Sequence, residues 1–107
     1  MSWRVAHILI LIGSVLSGPA AIAGPAVATK WRLTGESRND CMGHAMESIK
    51  RAGFKVTDPG SQSMNGTKDD YTASIRCVTE QQIVLFVVAG PSPSEANRLL
   101  DAIYRMF

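Results

Sequence analysis

The chain has 107 residues, 46% of them hydrophobic, with 11 Lys plus Arg against 9 Asp plus Glu and a formal charge of +2. A balance so near neutral, with no basic block or stripe, excludes the electrostatic footprint of a nucleic-acid binder and the polybasic signature of a membrane-surface protein. The length leaves room for one folded domain and not for two.

Arg4 carries the only charged side chain of residues 1–7, and residues 8–16 form an apolar run interrupted only by Gly13 and Ser14. That run is about half the ~20 residues a spanning helix needs. Ser17-Gly18-Pro19 breaks the helix, and Ala21-Ile22-Ala23 is the small-x-small pattern that a signal peptidase accepts. The expectation is a cleavable signal peptide over residues 1–23, cut between Ala23 and Gly24, with Ala26-Val27-Ala28 as a second candidate site. Residues 24–107 would then be a single small domain, exported to the periplasm or beyond the cell, with no membrane span in the mature form. Its formal charge falls to +1, because Arg4 leaves with the leader.

Two cysteines in an exported chain imply a disulfide, since oxidising compartments form and keep them. Only one pairing exists, Cys41 with Cys77, 36 residues apart. The loop-entropy description gives such a closure roughly 4 kcal/mol. For a domain whose core is marginal by size, that is a large share of its stability. A reactive thiol couple would need a short spacing such as C-x-x-C, which this sequence lacks.

Residues 27–34 alternate, with Val27, Thr29, Trp31 and Leu33 on one side and Lys30 and Arg32 on the other; this reads as a half-buried strand with the first set inward. Ser37, followed by Asp40, opens a helix running to about Ala52, where Gly53 fits a left-handed terminating residue and Phe54 folds back on Ile49. On a helical wheel Cys41, Met42, Ala45, Ile49 and Ala52 share the inward stripe. A short strand over 54–57 is followed by a polar irregular stretch over 58–70. A strand over 71–78 turns Tyr71, Ala73, Ile75 and Cys77 inward. After a tight turn at 79–82, the unbroken apolar run 83–89 is the expected middle of the sheet. Ser92-Pro93-Ser94-Glu95 is a complete opening for a last helix whose inner face carries Ala96, Leu99, Leu100, Ile103 and Phe107. The order β-α-β-β-β-α predicts an α+β two-layer sandwich, a mostly antiparallel four-stranded sheet with both helices on one face.

Several clusters carry possible chemistry. Met42, His44 and Met46 bring the thioether and imidazole donors that suit copper, but on a helix His44 sits about 200° around from Met42. His44 is also the single histidine left after processing and sits at the polar border of the helix beside Ser48, so a general base would be His44 or a carboxylate. No nucleophile elbow, H-E-x-x-H run or Ser, His and Asp arrangement accompanies it. Asp58, Asp69 and Asp70 offer oxygen donors at a spacing that departs from a calcium loop. Asn65-Gly66-Thr67 matches a glycosylation acceptor. Trp31 reads as core in phase with Val27 and Leu33, or otherwise as a stacking platform for a ligand.

The run from Val87 through Gly90-Pro91-Ser92-Pro93-Ser94-Glu95 to Ala96, followed by Leu99-Leu100, resembles the strand-to-helix junction of SPOR domains, small envelope modules that bind peptidoglycan. Ala52-Gly53-Phe54 at the end of the first helix is similar too. The chain departs from that family by adding a strand between Phe54 and Ile83 and by stopping after the second helix, and no binding residue carries over. The expected function is an exported, non-catalytic domain that binds a partner protein or cell-envelope component without a cofactor. The alternatives are a small enzyme built on His44 and a carboxylate, a Met/His copper binder and a peptidoglycan-binding module.

Overall fold

The computed structural model describes residues 24–107; the expected signal peptide, with Ala21 and Ala23, lies outside the described residues, and Gly24 is the first of them. Chain order is β1 (Ala26–Leu33), α1 (Arg38–Arg51), β2 (Lys55–Val56), β3 (Ser63–Lys68), β4 (Tyr71–Val78), β5 (Ile83–Gly90) and α2 (Pro93–Met106). The five strands of the described residues form one antiparallel sheet in the order β1-β5-β4-β3-β2. Both helices lie on one face of it, and Ser48 of α1, fully buried, donates from Oγ to the Ile103 carbonyl of α2 at 3.2 Å.

The helix openings follow local chemistry. Ser37 accepts a hydrogen bond from the Asp40 amide at 3.2 Å, and Ser92 accepts one from the Glu95 amide ahead of Pro93, so each hydroxyl satisfies a donor that the first helical turn leaves free. Gly53 ends α1 with φ +92°, a conformation a Cβ would penalise. Apolar side chains of the sheet and both helices, among them Ile49, Ile75, Val84, Phe86, Leu100 and Ile103, fill the space between the layers.

Cys41 at the start of α1 and Cys77 on β4 are both fully buried and form a disulfide, with Cα atoms 6.1 Å apart. It ties the helix layer to the centre of the sheet.

Four expectations are corrected. The sheet has five strands, not four, because Ser63–Lys68 pairs with β4 through the two-residue turn Asp69-Asp70, where Asp69 takes φ +54°. Its outward residues are Ser63, Asn65 and Thr67 and its inward set includes Gly66, so no hydrophobic alternation marks it. Strand β5 lies inside the sheet but next to its edge, and β4 is the central strand. Ser48, expected beside His44 at the polar border, is sealed between the helices instead.

The fourth correction concerns β1. Ala28 is its buried residue, whereas Val27, Trp31 and Leu33 are exposed on the side away from the helices. Lys30 and Arg32 take the helix side at the margin of the layer. There Lys30 bonds Asp101 of α2 at 3.0 Å, and the Arg32 guanidinium lies 4.9 Å from the ring centres of both Tyr104 and Phe107. Their aliphatic stems cover the aromatic cluster while the charges reach water or a partner.

Candidate functional site

Ladder register defines the open face of the sheet. One row across it reads Trp31, Leu85, Arg76, Ser63; the next reads Thr29, Val87, Ser74, Asn65; another reads Val27, Ala89, Thr72, Thr67, Lys55. Leu33, Ile83 and Val78 complete it beyond the Trp31 row. The face therefore has two halves. Over β1 and β5 it is apolar apart from Thr29, and over β4 and β3 hydroxyl and amide side chains lie around Arg76 and Val78.

In the apolar half Val27 is 62%, Trp31 60%, Leu33 71% and Leu85 38% exposed. Isolated exposed hydrophobic residues are ordinary, but a contiguous group containing a tryptophan marks an interaction surface. Cross-strand contact explains the grouping locally: Trp31 stands opposite Leu85, Leu33 opposite Ile83 and Val27 opposite Ala89. The charged residues on the strands of this face are Arg76 and Lys55, both basic. Arg76 donates to Ser63 Oγ at 3.2 Å and to Gln62 Oε1 at 3.0 Å, which draws its guanidinium toward β3.

The other sequence candidates fall elsewhere. His44 is on the exposed side of α1, where its Nδ1 lies 2.6 Å from Glu36 Oε2 and its ring meets Phe107 edge-on. The second carboxylate oxygen of Glu36 is buried and has no partner among the described residues. Nothing in the sequence pattern singled out Glu36, because it lies eight residues away in the link before the helix. The described residues form no pocket around this pair. Met42 packs against the core and Met46 is exposed, so the helix separates both from the His44–Glu36 pair. Asp69 and Asp70 form the β3–β4 turn while Asp58 follows β2, and among the described residues no three His, Cys, Asp or Glu side chains gather as a metal site. Asn65 of the acceptor triplet lies on β3 with its side chain on the open face.

No helix of the described residues is long and apolar enough to cross a membrane. No protein-family model matches the chain, and no curated protein matches it.

Proposed function

We propose that this protein is an exported binding domain that docks a partner protein or cell-envelope component on the open face of its sheet. The observation that carries the reading is the inverted phase of β1, which turns Val27, Trp31 and Leu33 to the side that the helices leave uncovered. A chain of this size keeps such residues exposed at a cost in solubility, and departures from the expected pattern concentrate at functional sites. Export is supported by the leader-like residues 1–23 and by the buried disulfide, a bond that persists in oxidising compartments. The chemistry of the face fits an apolar ridge flanked by carboxylates, since Arg76 and Lys55 supply its charge. Peptidoglycan, suggested by the local SPOR resemblance, is one envelope component to include in the test.

A photo-crosslinking residue at position 33, introduced in the producing organism, is expected to give a discrete adduct with a molecule other than a second copy of the chain. The same residue at position 97, on the exposed side of α2, should give none, and Trp31→Ala should abolish the adduct while leaving thermal unfolding in place. Equal labelling from both positions would remove the reading. The exported product is expected to begin at Gly24, and mass spectrometry of the culture's envelope and external fractions checks it.

A second reading has one observation behind it. The 2.6 Å contact between His44 and Glu36 is the arrangement in which a carboxylate orients an imidazole for proton transfer. This reading is a small enzyme, and a hydrolytic activity lost in both His44→Ala and Glu36→Gln would favour it over the binding domain.

A further inference from the structure

The two edges of the sheet are built differently. Strand β2 closes one side with two residues, Lys55–Val56, and short edges are how sheets avoid unwanted pairing. Strand β1 closes the other with eight residues, all in register with β5 and without an internal proline or bulge. The alternation of the ladder fixes which groups are free. Thr34 donates its amide to the Gln82 carbonyl, so the even-numbered residues of β1 spend their backbone groups on β5. Residues 27, 29, 31 and 33 therefore turn theirs outward, and three of these four also carry the exposed apolar side chains.

We propose that this edge is closed by a second copy of the chain. The β1 strands pair antiparallel about a two-fold axis normal to the sheet, and two five-stranded sheets become one of ten strands. The sequence of β1 is self-complementary in the register that uses all four outward residues: Val27 faces Leu33 of the partner copy and Thr29 faces Trp31, each pair exchanging two hydrogen bonds. On the open face this sets a tryptophan and two aliphatic side chains of each copy in one band across the axis. On the helix face Ala28 stands opposite Arg32, and Lys30 meets its own symmetry mate. Asp101 pairs with Lys30 at 3.0 Å within each copy, which offsets part of that like-charge contact. The edge is about 27 Å long. With its flanking side chains it forms an interface toward the lower end of stable sizes.

The inference goes beyond the binding reading and does not need it, since it concerns the edge and not the face. Sedimentation of the purified protein at about 100 μM is expected to give twice the chain mass. Thr29→Pro should restore the single mass with little change in thermal unfolding, because proline at that position removes only an outward amide. A single mass for the wild type overturns the proposal, as does a double mass that Thr29→Pro leaves intact. Should Thr29→Pro not fold, amide exchange of the wild type decides: residues 27, 29, 31 and 33 should gain protection as concentration rises, and concentration-independent exchange there overturns it. Trp31→Ala keeps the two readings apart, as it removes the face contact but spares the backbone pairing.

Discussion

Glu95 sits in the first turn of α2, where a carboxylate meets the positive end of the helix, and Arg98 one turn on donates to its oxygens at 2.8 and 2.5 Å. That hydrogen-bonded pair, with the charge of Arg98 behind it, holds the Glu95 carboxyl below its ordinary range despite some desolvation, and raises the proton affinity of Arg98 in turn. A carboxyl whose folded value is depressed contributes stability above its unfolded value and loses that contribution as pH falls through the folded one. The expected result of Arg98→Ala is an upward move of the Glu95 titration, read by carboxyl NMR across the acid range; an unmoved titration would show that the pair does not hold the charge. The sequence suggests that Glu95 reaches back to its cap, whereas its carboxylate engages Arg98. Ser92 caps the helix as expected, and the opening is a property of a few neighbouring residues.

At the level of elements, the approach of α1 to β3 depends on one glycine. A Cβ on Gly66 would lie 2.6 Å from Ile49 Cγ2 and 3.1 Å from both the Lys55 carbonyl and Phe54 Cβ. Gly66→Ala must therefore push the helix from the sheet, and overpacking of this kind costs about 1–3 kcal/mol. Chemical denaturation should show that loss, and a variant as stable as wild type would mean the two layers have slack there. Gly90 makes the same use of absence, since Tyr71 packs where its Cβ would be and receives the Ser92 amide on its hydroxyl at 3.0 Å. Helix boundaries were readable because caps and the 3.6-residue period are local. Strand β3 was not, because its pairing partners and the helix above it, more than its own side chains, make it a strand.

For the whole molecule, the disulfide joins α1 to the central strand across 36 residues of chain. Cys77→Ser is expected to cost roughly 2–5 kcal/mol, the range for removing a native disulfide from a small domain. Thermal unfolding of the oxidised wild type and the variant measures it, and coincident curves would deny the bond a structural role. The stability of the layers and the exposure of the open face are coupled here. A domain stapled across its core has less need to bury every apolar residue, which leaves Trp31 and its neighbours available for contact.

From its residues alone the chain determined its class, both helices, the strands at 71–78 and 83–89, and the meeting of Cys41 with Cys77, because periodicity and capping are encoded within a few positions of each residue. Only the tertiary structure decided which side of β1 faces the helices. Alternation defines two faces but carries no label for the inner one. The register with β5, itself apolar on both sides, turned Trp31 outward and laid Arg32 over Tyr104 and Phe107. The candidate surface was therefore visible as a set of residues and hidden as a site, since its direction is fixed by strands more than fifty residues away along the chain.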